Sequence, residues 1–194
     1  MSKTSTQQES VNEASAAQAY GIVANPGAVR FERLLPGPIE RIWSYLADSE
    51  MRGKWLATGA MEPCVGGRVK LYFEYPRLSN GREEAPTKYK EKEICDLVGV
   101  VLRWEPLHAL ACTWGEHWGG NSQVMFELTP RGEDVLLVFT HSGLPDQSEM
   151  AVAAGWHAHI DILIDHLAGR SPASFWGALM RLEAEYERWF KNAK

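Results

Sequence analysis

Six histidines and three cysteines give this 194-residue chain its widest choice of chemistry. Two of the histidines matter most. His141 closes the alternating run Val135 to His141, so strand parity sets its imidazole on the same apolar side as Phe139. An imidazole there must bond to a neighbour, a water or a ligand, because burying it alone is costly. The plain outcome is a structural histidine satisfied by a neighbour. The other is a ligand anchor, or a general base with a pKa near the working pH. His159 belongs to the stretch Asp146 to Leu167, which at about 100° per residue gathers Val152, Trp156, His159, Ile160, Leu163 and Leu167 on one face. His157, Asp161 and Asp165 fall on the opposite, outer face. If the first face lies over a curved sheet, His141 and His159 meet across an apolar hollow and together could orient a small ligand.

Other chemistries find little support. His157 and His159 form an HxH, but on a helix their side chains point about 200° apart and cannot grip one ion. His157 with Asp161, and Asp161 with Asp165, can meet only on an outer face that reads as a solvated stripe, so no metal is expected. Cys64, Cys95 and Cys112 are odd in number and lack CxxC spacing, so they read as reduced thiols of a cytoplasmic protein. Gly66-Gly67 opens a strand and lacks the lysine and hydroxyl of a phosphate loop. Neither GxSxG nor HExxH occurs; covalent catalysis has no sequence support, and no cofactor is implied. A net charge of -5 without any run of Lys and Arg argues against nucleic acid or an anionic membrane as partner. The first twenty residues lack the pattern of a secretion signal, and no later stretch approaches a membrane span.

The elements that must position these residues follow from periodicity. Residues 1–25 carry few large apolar side chains and read as a flexible tail, with a weak capping box at Ser10 and Glu13. A strand from Val29 to Leu35 runs into Pro36-Gly37-Pro38, where the second proline suits a helix start. Ile39, Ile42, Trp43 and Leu46 share a face of that helix, and a second short helix is expected to end at Trp55-Leu56. Val69, Leu71, Phe73 and Tyr75 alternate with polar residues as one dry strand face. A polar excursion from Pro76 to Pro86 follows. Strand-like runs come at Lys88 to Val101, Ala109 to Trp114, Ser122 to Leu128 and Val135 to His141, divided by Glu105-Pro106, Gly119-Gly120 and Arg131-Gly132. Short links favour antiparallel pairing. The segment Trp114 to Gly120 reads as a hairpin tip whose tryptophans either cap the sheet edge or close over a pocket mouth. Asp146 with Glu149 is the expected cap of the long helix, and Gly169 with Pro172 its stop. A last helix from Ser171-Pro172 carries Phe175, Leu179, Leu182, Tyr186 and Trp189 as an apolar stripe. It is expected to fold back on its own domain, the alternative being a homodimer seam through residues 175–190.

The order strand, two short helices, meander and closing helix resembles the SRPBCC superfamily, of the START or Bet v 1-like helix-grip fold. The local text resembles the branch named for the C-terminal domain of the heat-shock protein 90 ATPase activator. It is carried by Pro38-Ile39-Glu40-Arg41-Ile42-Trp43, Trp55, Gly66-Gly67-Arg68-Val69, Gly99 to Trp114, Val124 to Leu128, His141-Ser142-Gly143-Leu144 and Gly155-Trp156. These pieces span about Val29 to Gly169. The tail and the last helix lie outside the pattern, and Arg103 stands where an acidic residue is often seen. The resemblance implies an α+β fold: a curved antiparallel sheet of about six to seven strands around a long C-terminal helix, plus an additional terminal helix. The corresponding division is a tail at 1–25, a helix-grip domain at 26–170 and a helical extension at 171–194.

That fold frames a pocket and brings no fixed catalytic set. The expected function is therefore binding of a small hydrophobic or aromatic molecule between sheet and long helix. The expected lining is Trp55, Leu71, Phe73, Trp114, Phe126, Phe139, His141, Trp156, His159, Ile160 and Leu163. Two alternatives stand beside it. One is a small-molecule enzyme of the cyclase, dehydratase or lyase kind found in the superfamily, with His141 or His159 as base. The other is a co-chaperone that stimulates a chaperone ATPase, which the family name suggests.

Overall fold

The computed structural model describes residues 21–79, 83–115 and 122–192; the Ser10 and Glu13 capping box and the hairpin tip beyond Gly115 lie outside them. Seven antiparallel strands form one sheet in the order β1-β2-β7-β6-β5-β4-β3. They are β1 (Ile22–Asn25), β2 (Ala28–Pro36), β3 (Arg68–Glu74), β4 (Ile94–Glu105), β5 (Ala109–Thr113), β6 (Gln123–Arg131) and β7 (Asp134–Ser142). Four helices complete the chain: α1 (Ile39–Ala47), α2 (Ser49–Arg52), α3 (Glu149–Leu167) and α4 (Phe175–Asn192). The sheet thus begins four residues inside the stretch that composition assigns to the tail. β1 holds there because it pairs with β2, Ile22 opposite Arg30 and Val23 opposite Val29.

Alternation builds the inner face. In β3, Val69, Leu71 and Phe73 are buried while Arg68, Lys70 and Tyr72 are exposed. β7 buries Val135, Leu137, Phe139 and His141 in the same rhythm. Phe139 pairs with Phe31 of β2 on one side and Phe126 of β6 on the other, which sets three rings in a row across the sheet. Gly99 in β4 is required by a close approach: a Cβ there would lie 2.5 Å from the Thr113 carbonyl oxygen.

Several element boundaries differ from expectation for identifiable reasons. The run from Lys88 to Val101 is not one strand. Thr87–Lys92 forms a 3-10 helix, and β4 begins at Ile94. Lys88 and Tyr89 turn instead toward α4, where both side chains bond to the Glu183 carboxylate. α2 closes at Arg52, so Trp55 sits in the turn after it, with its indole N–H donating to the Tyr45 carbonyl at 2.8 Å.

The cap expected from Asp146 and Glu149 does not form; α3 starts at Glu149 after Ser148 without a side-chain cap. The Glu149 carboxylate accepts instead from Gly27 N–H at 3.0 Å and ties the helix start to the β1-β2 turn. α4 starts at Phe175 and not at Ser171-Pro172. Ser174 Oγ accepts from Gly177 N–H at 2.8 Å, the bond of a helix N-cap.

α4 folds back on α3, and this corrects the picture of an outer, solvated stripe. His157 is buried. Its Nδ1 lies 3.2 Å from the Tyr186 hydroxyl and its Nε2 3.6 Å from the Asp161 carboxylate. The Tyr186 hydroxyl also accepts from Gly21 N–H at 2.7 Å, so it can donate to His157 Nδ1. The apolar stripe of α4 is consumed inside the chain: Phe175, Leu179, Leu182 and Tyr186 are buried, while Trp189 remains 43% exposed.

Candidate functional site

The space beneath α3 is filled toward its C-terminal half and open toward its N-terminal half. Ile160, Leu163 and Leu167 pack into a continuous core with Leu46, Trp55, Leu71 and Phe126. At the other end, α3, the first turn of α4, the end of β3 and the 3-10 helix Thr87–Lys92 surround a cavity of about 330 Å³. That volume falls in the range of small-ligand sites.

Aromatic rings make the wall. Phe73, Tyr75, Trp114, Trp156, Phe175 and Trp176 all line the cavity. Tyr75 lies between the two helices, with its ring centroid 4.9 Å from Phe175, 5.2 Å from Trp176 and 5.7 Å from His159. Trp114 and Trp156 touch at 5.0 Å. Val152 and Gly155 of α3 add the small side of the wall, and a Cβ built on Gly155 would meet nothing within 4 Å.

The two histidines expected to face each other both reach this cavity, but in different bonding states. Trp156 N–H donates to His141 Nδ1 at 2.9 Å. That bond places the ring proton on Nε2, which lies 3.0 Å from Ser122 Oγ, and Ser122 Oγ–H in turn donates to the Trp114 carbonyl at 3.0 Å. Each polar atom in this Trp156–His141–Ser122–Trp114 relay is matched, and His141 is a satisfied structural histidine. Burial pushes its pKa down to about 4. Protonation would also set Nδ1–H against the Trp156 N–H.

His159 is half committed. Its Nδ1 lies 2.7 Å from the Trp55 carbonyl, which only accepts, so Nδ1 carries the proton. The lone pair is left on Nε2, and no described residue donates to it. Burial lowers its pKa to about 4, while the bond to Trp55 works the other way. The neutral ring therefore offers the cavity one acceptor. Trp176 adds ring surface to the wall, while its indole N–H is buried away from the cavity and without a partner among the described residues. Tyr75 is held firmly protonated by burial.

Of the eleven residues expected to line a site, Phe73, Trp114, His141, Trp156 and His159 surround the cavity. Trp55, Leu71, Phe126, Phe139, Ile160 and Leu163 are packed into the core beside it. Tyr75, Phe175, Trp176, Leu179, Val152 and Gly155 line the cavity as well and were outside the expected set. Tyr75 could have been found, since it continues the alternation of Val69, Leu71 and Phe73. Phe175 and Trp176 carry no such signal, because a stripe on a terminal helix does not say what it covers. Among the described residues no cluster of His, Cys, Asp and Glu could hold a metal ion, and no helix is long and apolar enough to cross a membrane.

Comparison with known proteins agrees with this architecture. The solution structure of the BPP1335 protein of Bordetella parapertussis is 42% identical, over 87% of this chain and 88% of that one, with a TM-score of 0.74. CalU16 of Micromonospora echinospora is 20% identical over 85% of this chain and 87% of its own, at a TM-score of 0.60. EF2215 of Enterococcus faecalis, a conserved protein of unknown function, is 17% identical over 94% and 98%, at 0.62. The last two share the fold alone. No curated protein matches the chain. Residues 36–168 match the family model described as Activator of Hsp90 ATPase homolog 1-like protein, from the proline pair before α1 to the end of α3. With more than half of its length so matched, and its sheet gripping the long helix as that fold does, the chain belongs to the Activator of Hsp90 ATPase homolog 1-like family.

Proposed function

We propose that this protein binds a small hydrophobic or aromatic molecule in the cavity between the N-terminal half of α3, the start of α4 and the open end of the sheet. One observation carries the reading: a space of about 330 Å³ walled by seven Phe, Tyr and Trp side chains, beside a core cluster into which the other inward residues of α3 are packed. Interiors normally fill such gaps, since voids forfeit dispersion contacts and burial energy. An aromatic chamber of this size is best accounted for by a guest.

Gly155 gives the cleanest test. Its missing side chain opens onto the cavity, so Gly155→Leu puts a branched side chain into the space without removing any existing contact. Native mass spectrometry of the purified protein and tryptophan-quenching titrations with aromatic compounds should show binding that Gly155→Leu weakens at least tenfold. Equal binding by the variant would place the ligand elsewhere. Trp156→Ala is a poorer probe, because Trp156 also packs on Phe139 at 4.2 Å and anchors His141.

A second reading, acid-base turnover of the bound molecule, rests on His159 alone. His141 has its one lone pair occupied by Trp156. A rate that follows deprotonation of a group near pH 4 and disappears in His159→Gln would support it.

A further inference from the structure

The cavity's polar atoms say what kind of guest it takes. We infer that the ligand is a neutral hydroxylated aromatic, a phenol-type ring system whose O–H donates to His159 Nε2. This rests on the cavity reading above and deepens it.

Two observations converge. The first is the acceptor: with Nδ1 turned to the Trp55 carbonyl, His159 presents only a lone pair. A ligand ether or carbonyl would meet that lone pair with another, whereas a hydroxyl answers it. The wall beside that acceptor is aromatic, with the Tyr75 ring centroid 5.7 Å from His159, so a flat ring can lie within reach of it.

The second is charge. His141 and His159 are neutral at physiological pH. Among the described residues the cavity's cationic residue is Lys92, exposed at the rim, and none deep in the wall compensates a carboxylate or phenolate, so an anionic guest would lose its hydration without replacement.

Matched naphthalenes test this on the intact protein by calorimetry or tryptophan quenching. The probes are 2-naphthol, 2-methoxynaphthalene, naphthalene and 2-naphthoate. 2-Naphthol should bind roughly tenfold more tightly than 2-methoxynaphthalene, which has the same ring and an oxygen but no donor. 2-Naphthoate should bind most weakly. In His159→Leu the naphthol preference should vanish while naphthalene binding persists. Circular dichroism and thermal melting establish that each variant is folded. If all four probes bind alike, or naphthoate best, the hydroxyl inference falls and the cavity reading stands. If none binds, or binding is indifferent to Gly155→Leu, both fall. A 15N spectrum provides an independent check: the His159 Nε2 resonance should move on adding 2-naphthol and stay in place on adding naphthalene.

Discussion

The two ends of the space under α3 meet the same problem, a polar group inside an apolar shell, in opposite ways. At the packed end the group is Arg52. It is 2% exposed, and its guanidinium donates to the carbonyls of Leu46, Ala47 and Gly59. Desolvation lowers its pKa from 12.5, yet the three carbonyls hold the cation, and the void beside it is only about 10 Å³. At the cavity end the polar groups are imidazoles kept neutral, and the void is about 330 Å³. A charge held by three backbone carbonyls, with only its Nε–H unpartnered among the described residues, locks α2 to its loop. Neutral rings beside a hollow suit the proposed guest, since a fixed charge there would have to be desolvated on each binding event. The contrast teaches that polarity in this core follows packing: a cation held by carbonyls where the interior is filled, neutral rings where it is open.

Acid should break the contrast most strongly. His141, His157 and His159 titrate near 4 in the fold against 6.5 when free, so between these values the unfolded chain binds more protons and stability falls as pH is lowered. Arg33 and Arg181 add to the shift of His157, and Glu185 opposes it. Asp161 acts the other way. Burial raises its pKa to about 6 from 3.8, so the folded form takes up that proton first. Three imidazoles against one carboxyl leave a net loss, and Tm should drop steadily from pH 6.5 to pH 4. A flat profile would mean that the rings are not shielded as described. Arg52, charged throughout, contributes nothing in this range.

Truncation separates the two ends next. Phe126 packs edge-on against Trp55 at 6.2 Å and against Phe139 at 4.9 Å, at the end with no space to spare. Phe126→Ala should lower unfolding stability by about 3–5 kcal/mol in urea denaturation. Leu179→Ala, on the cavity wall, should come in below the 2–5 kcal/mol usual for a buried leucine, because part of its surface already faces empty space. Equal losses would mean that the cavity collapses in solution.

Much of this frame was legible in the residues. The dry faces of β3 and β7 follow from Val69, Leu71 and Phe73 and from Leu137, Phe139 and His141, since period-two patterning is a local property. The inward face of α3 was legible too, through Trp156, His159 and Leu163. The cavity's position was not. It depends on Phe175 and Trp176 arriving from the far end of the chain to cover Tyr75, and on Ile160 and Leu163 filling the rest, which are questions of volume that no periodicity encodes. The state of His141 was legible only as an alternative, because one hydrogen bond from Trp156 decides it. His157 was misplaced for the same reason as α4: an apparently polar face becomes interior when another helix lies on it.

Trp156→Phe sharpens the comparison at a smaller scale. It keeps a ring between Trp114 and Phe139 and removes the N–H that His141 Nδ1 accepts. The loss should be about 1–3 kcal/mol, as for a buried acceptor left unpaired. The pKa of His141, followed by NMR, should rise from about 4, since Nδ1 no longer faces a donor when it takes up a proton.

The smallest effect has the opposite sign. Gly155 sits within α3, where a glycine costs about 0.5–1 kcal/mol relative to alanine, and a Cβ there enters open space. Gly155→Ala should therefore stabilise the protein by about that amount. A glycine retained at the wall of a hollow, where alanine would hold the helix better, is what a ligand pressing close to the α3 backbone would require. Gly155→Ala should then raise Tm in the free protein and raise it less when 2-naphthol is present. If the variant is instead destabilised without ligand, the wall is closed against α3 in solution, and the distinction between a packed end and an open end disappears.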